Sequence, residues 1–550
     1  MPLLRLLAPL LCILAAVSFA DEQHNHSAGH PGKLGKVNFT NSCSPAVQDR
    51  LQRAVAMLHS FWYDESARQF QSVSATDPHC AIAWWGVAMT HWHPLWEPRG
   101  PNPEDMNAGL DAIRRAKAAV DPRRTTVREQ QFIAALDTFY SDYQNSDHLD
   151  RVVAYENKMA ALHDANSDDV EATVFYALSL LGSASSLPAD KSHMRQKKAG
   201  ALVKPILNSQ PSHPGVAHMV IHAYDYPDLA PKALQAARIY AKIAPESPHA
   251  LHMPSHIFTR LGLWQESINS NLDSAAAARK VHDRKEELHA RDYLVFAYLQ
   301  TGQDHKAYVV FHDQPESHDF AALQFQGIFA TATMPSRYVL ERHQWAEAAA
   351  LPDPKGFPGG RYAWADASIY YARAIGAARV GKVDQAKLDI ERLDSACNTL
   401  KDFKEDYWAG QVNIQKAIAS AWLTLAAGKQ SEALDQMRAA VALDDAADKH
   451  PVTPGSILAP RDLLGQMLIE VNKPAEAVAE YEELLAKEPN RFAALYGIGR
   501  SAQLAGQTDK ARDAYSKLLA MIKSDERAEV RDARKFVSAR SGKPVSGNRQ

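Results

Sequence analysis

Residues 211–226, PSHPGVAHMVIHAYDY, and residues 245–260, PESPHALHMPSHIFTR, decide how this chain folds. Pro211 and Pro245 stand 34 residues apart, as do His218 and His252, and His222 and His256. A period of 34 belongs to a helix–turn–helix unit, which cannot bury its apolar face alone and so stacks on the next. Within each stretch the two histidines are four apart, so both rings leave one helix face. Equivalent places on neighbouring units bring four imidazoles toward one patch. His218, His222, His252 and His256 are therefore the candidate metal ligands, a nitrogen set that suits zinc, copper, nickel or iron.

A turn signal recurs outward from these stretches. A glycine or a substitute is followed, five residues on, by a small residue that opens the second helix. It is read at Asp228 and Ala233, Gly262 and Ser267, Gly302 and Ala307, and His343 and Ala348. It continues at Gly381 and Ala386, Gly428 and Ala433, Asn472 and Ala477, and Gly506 and Ala511. With Gly506 at the turn, Ala477 and Ala511 at helix crossings and Pro489 at a unit boundary, residues 472–519 resemble the tetratricopeptide repeat. The resemblance runs unevenly over much of the chain. The central unit, with His249, His252, Met253, Pro254, Ser255, His256, Ile257 and Phe258, resembles a class of exported bacterial tetratricopeptide proteins. It implies an all-α fold, with helix-turn-helix repeats stacked into a right-handed solenoid. The first helices of such a solenoid line a concave groove, usually a surface for a peptide or partner protein.

Counting back from the turns extends the register. His249 and His289 both lie thirteen residues before a turn glycine, and Asp292 takes the place of His252 one unit on. Met334, Pro335, Ser336 and Arg337 repeat the Met253 to His256 pattern, with Arg337 replacing the ring. His249, His289, Asp292 and Arg337 are accordingly read as groove residues, with Tyr224, Asp225 and Asp228 as acceptors behind the ligands. The same positions also make repeat-to-repeat contacts, where a histidine simply bonds a neighbour. If four rings close around a metal the site is structural. If one position stays open, His249, His289 or Asp292 supplies acid–base chemistry. Pro254 fits only a helix that begins near residues 249–252. No catalytic residue is assigned: there is no His-Glu-x-x-His and no haem-attaching Cys-x-x-Cys-His, and the Gly376–Lys382 run continues into Val383, where a phosphate loop needs Ser or Thr.

Composition bounds the rest. Apolar content of 46%, charged content of 23% and a net charge of −3 are those of a folded soluble protein, with no basic stripe for nucleic acid. Residues 1–20 read as a signal peptide, with Arg5, an apolar run from Leu6 to Val17 and a small-x-small end at Ala20. The mature chain is then periplasmic or secreted, without a stable membrane span. Residues 21–38, with His24, His26 and His30, read as a disordered leader. Helical repeats follow over 39–200, the histidine-bearing units over 201–320 and further repeats over 321–535, ahead of a disordered tail at 536–550. Cys43 and Cys80 each open a first helix, and stacking places them as either a disulfide or two buried thiols. The aromatic run Trp62, Tyr63, Trp84, Trp85, Trp92 and Trp96 is either core packing or a wall facing a ligand. Two functions remain open. One is an exported scaffold binding a peptide, protein or envelope component in its groove, and the other is a metal-binding protein or metalloenzyme on the same repeats.

Overall fold

Where the turn signal places glycine, the backbone is left-handed. Gly262 has φ +64° and Gly302 has φ +70°, a region that costs glycine nothing because it lacks Cβ. His343 at φ +53° and Asn472 at φ +61° take the same conformation as substitutes. Asp228 does not. There the chain leaves helix Pro214–Ala223 through a 3-10 turn, Ala230–Ala233, before helix Leu234–Ile243.

The computed structural model describes residues 33–312, 320–447, 450 and 452–539. The expected signal peptide, His24, His26, His30 and the tail beyond 539 lie outside the described residues. The fold is all-α, a stack of helix hairpins, with no strand among the described residues. No described helix is long and apolar enough to cross a membrane. Two parts differ from the sequence reading. Residues 33–38 are packed rather than free: Leu34 is buried, and the Lys36 amide donates to the Ser212 carbonyl at 2.8 Å. Helix Ala528–Ser538 runs past residue 536, whose ring meets Tyr515 at 5.4 Å.

Helix starts in the central units share one design. His213 and Ser247 cap, each accepting the backbone N–H three residues on, and Pro214 and Pro248 occupy the first turn, where no N–H is needed. The helix begun at Pro248 is interrupted once. Pro254 starts a new segment, Pro254–Arg260, directly behind Pro248–His252. Met253, at the junction, keeps helical dihedrals, so His252 and His256 still share a face.

Two large cores form, one from Phe39 to Phe258 and the other from Trp264 to Ala514. Val452, far along the chain, belongs to the first. The segment around it is pinned by its carbonyls: Arg260 donates to Pro454 at 2.6 Å, Tyr293 to Val452 at 3.2 Å and Arg337 to Ser456 at 2.8 Å. The repeat stack therefore folds a late segment back over its middle. Near the start, Cys43 and Cys80 are disulfide-bonded, and Cys397 is buried. Trp85 and Trp92 are fully buried core, stacked among Phe39, Phe132 and Phe139, whereas Trp96 reaches His249 at 5.2 Å.

His148 gives this region a measurable acid response. Burial, reinforced by the Arg151 charge, lowers its pKa from 6.5 to about 4. The folded chain thus binds that proton less readily than the unfolded chain. Its contribution is complete above pH 6.5 and is lost as the pH falls toward 4, about 3 kcal/mol in all. Urea unfolding across this window will show His148→Gln flattening the pH slope by about 1.4 kcal/mol per unit.

Candidate metal centre

The four histidines of the 34-residue register lie in one buried cluster, but not as one ligand set. They divide by helix. His218 and His222 join His249, and His252 and His256 join His289, the three donor atoms of each triad lying within 4.8 Å of one another. Each i, i+4 pair thus takes its third histidine from the next unit, His249 from helix Pro248–His252 and His289 from helix Arg284–Gln300. The six rings are contiguous. Across the boundary between triads, His222 to His256 is 6.4 Å and His249 to His252 is 6.1 Å between centroids, no more than the 6.4 Å from His222 to His249 within one triad. None lines an open groove, since all six are buried, His222 the most exposed at 8%. Leu95, Trp96, Met253 and Val452 close over them.

The orientation of four of the six rings is fixed from behind. The His218 Nδ1–H donates to the His59 carbonyl at 2.6 Å, and the His252 Nδ1–H to Asn271 Oδ1 at 2.6 Å. Asn271 is itself oriented by donating its amide to the Ser267 carbonyl. The His256 Nδ1–H donates to Asp225 at 2.8 Å, and the His249 Nδ1–H to Glu286 at 3.3 Å. Because these partners only accept, the proton sits on Nδ1, and the Nε2 lone pair points inward. In each pair the inward nitrogens are 3.0 Å apart, His218 Nε2 to His222 Nε2 and His252 Nε2 to His256 Nε2. The His249 Nε2 is buried without a hydrogen-bond partner. Burial, then the neighbouring imidazoles, push the pKa of His218 and of His252 well below 6.5, so both rings are neutral.

A third cluster lies beside the first triad. Glu171 accepts from His59 Nε2 at 2.7 Å and His213 Nε2 at 2.9 Å. Burial alone would raise the Glu171 pKa, but the two imidazoles outweigh it and hold the carboxyl well below its usual range. Its donor atoms are bonded to one another, so this layer serves as a support, steadying the His59 carbonyl that orients His218. His59 also explains why triad one takes its third ring from the next unit. Gly215 stands at the register place of His249 and His289, and a Cβ there would meet the His59 ring at 2.6 Å.

Several sequence readings are corrected here. His249 and His289 are members of the triads rather than groove residues, because both side chains are buried against the pair on the preceding unit. Tyr224 faces away, its ring filling the space over Gly200 with Lys204 and Lys232 across it. Asp225 does stand behind a ligand, shared between His256 and Arg260. Arg337 lines no groove. It is fully buried, 3.7 Å from Asp292, whose pKa burial raises to about 6 against the opposing pull of Arg337. Sequence reasoning missed Glu286, Asn271 and Tyr293, none of which stands at a repeated histidine position. Tyr293 donates to Val452, and its oxygen lies 3.3 Å from His256 Nε2.

Residues 463–526 match the tetratricopeptide repeat, so the last hairpins are repeats of that kind. No curated protein matches the chain. Among solved structures, the chain is similar to a human IFIT1 dimer with m7Gppp-AAAA, at 11% identity over 76% of this chain and 87% of that one, with a TM-score of 0.34. It is also similar to yeast Tom70, at 12% identity over 90% and 95%, with a TM-score of 0.34. Naa15/Naa10 bound to HypK-THB follows at 13% identity over 86% and 70%, with a TM-score of 0.23.

Proposed function

We propose that this protein is a transition-metal-binding protein, each histidine triad holding one ion on a scaffold of tetratricopeptide type. One observation carries the reading. His252 and His256 each have a proton committed to an acceptor on the far side, and their inward nitrogens face each other at 3.0 Å. Two lone pairs at that distance repel unless a cation lies between them. A proton on His256 beside Asp225 would relieve that one pair, whereas a metal ion would serve all three converging imidazoles, and the carboxylate or amide behind each ring is the support that metal-bound histidines use.

Three imidazoles per ion suit zinc, copper, nickel or iron, and leave a coordination position for water or a small ligand. The other reading, a groove in which these first helices hold a peptide, protein or envelope component, needs their side chains open. At the central units they are closed, which favours metal. Export from the cytoplasm belongs to the same proposal, resting on the amino-terminal sequence.

Metal analysis tests it. Full-length protein without an affinity tag, carrying His24→Ala, His26→Ala and His30→Ala to silence the leader, is expected to hold about two ions per chain after supplementation with each metal in turn. The pair His252→Ala and His256→Ala is expected to remove one of them. A folded protein that retains no stoichiometric metal from any of the four overturns the reading.

A further inference from the structure

A second cavity of about 400 Å³ opens on the other face of the segment that closes the histidine cluster. Val452 covers the rings, while Thr453, Gly455, Ser456 and Ile457 wall this cavity. That volume is within the range of small-molecule sites. Its floor is aromatic. Phe329, Trp364 and Trp408 form a three-ring corner with centroids 4.8 to 5.9 Å apart, and Tyr226 and Tyr407 continue the wall.

The charges of the lining are unevenly committed. Every cation already bonds protein: Lys191 to the Ala447 carbonyl at 2.6 Å, Arg260 to Asp225 and the Pro454 carbonyl, and Lys487 to Asp445. Two of the acids are equally taken, Asp445 by Arg461 and Lys487, and Glu488 by Arg491. Asp444 and Asp228 line the cavity with no ion pair to any described residue. Burial, and then the Glu488 and Asp445 charges, raise the Asp444 pKa to about 6, against the weaker pull of Lys487 and Arg461, which are bonded to Asp445.

We infer that this cavity binds an organic cation, an amine or quaternary ammonium with a compact apolar body, whose charge lies between Asp444 and the faces of Trp364 and Trp408. Aromatic faces carry negative quadrupole density and attract a cation most where water is excluded. A carboxylate beside them supplies the full charge, and the apolar body covers the Phe329 ring. The same chemistry belongs to a free amine and to the side chain of a lysine in a peptide. The inference commits to the free amine.

The test uses the full-length chain, with and without metal, and follows tryptophan fluorescence and calorimetry. The probes are choline, benzyltrimethylammonium and dimethylbutanol, the uncharged carbon isostere of choline. Saturable binding of at least one cation is expected, with the isostere about tenfold weaker or worse. Asp444→Asn and Trp408→Ala, each checked for native helicity, are expected to weaken the cation about tenfold. Equal binding of choline and its isostere, no saturation by either cation, or an unchanged affinity in Asp444→Asn overturns the inference. A lysine-bearing peptide binding more than tenfold better than both free cations also overturns it. Chelation is expected to leave cation affinity unchanged, so this result and the metal result stand or fall separately.

Discussion

Zinc added to the metal-free protein at about a thousandfold over its dissociation constant will stabilise the fold by about 4 kcal/mol for each occupied triad. The reason lies in what the metal-free fold holds together. At His252 and His256 the inward nitrogens face each other 3.0 Å apart, each ring's proton committed on its far side, in a cluster that is fully buried. Unfolding releases that repulsion, and a bound ion reverses it. Thermal melts with and without chelator read the effect directly. The two triads separate by mutation. Asp225→Ala removes the acceptor that fixes His256, whereas His218 and His249 are held by the His59 carbonyl and Glu286, so one site is expected to weaken about ten- to hundredfold while the other keeps its affinity. If the melts with and without zinc coincide, no metal site is formed. If both sites weaken equally, the two triads do not act as separate sites.

The 34-residue register of His218, His222, His252 and His256 made the fold class and the existence of the cluster legible in the sequence, because stacked hairpins put like positions side by side. The division into triads was half legible. His249 and His289 align thirteen residues before Gly262 and Gly302, but periodicity says only that two positions are equivalent, not that their side chains point into the preceding unit. Tyr224 failed for the converse reason, since adjacency to Asp225 in sequence puts the two side chains on different sides of the chain. Glu286 and Asn271 support rings from neighbouring helices, a relation set by packing that no spacing encodes. The return of residues 452–458 was wholly hidden. It rests on single donors, Arg260, Tyr293 and Arg337, reaching carbonyls more than a hundred residues away.

The last repeats rest on the middle ones through several buried links, among them Arg527 on Asp304, Trp264 on the Asn490 carbonyl and one ion pair beneath the Gly302 turn. Glu341 and Arg491 are bonded with both side chains 1% exposed. Gln300 ties them to the helix that bears His289 and Tyr293, donating to Glu341 at 3.2 Å and accepting the Phe492 amide at 3.0 Å. The Phe296 ring, six residues before the Gly302 turn as His256 is before Gly262, lies between the guanidinium groups of Arg337 and Arg491, each 4.9 Å away. Glu341→Ala strips the buried guanidinium of its main partner, leaving the half-buried Glu488 at 2.7 Å. The expected loss is about 3–5 kcal/mol, most of it the cost of an uncompensated buried charge rather than the worth of the pair. Replacing both members, Glu341→Leu with Arg491→Met, is therefore expected to recover most of that loss in urea unfolding. Neither residue touches an imidazole, so zinc affinity in the folded single variant should stay within a few-fold of the parent. A large drop there would mean that the packing of the last repeats, transmitted through Gln300 and Tyr293, sets the geometry of the second triad.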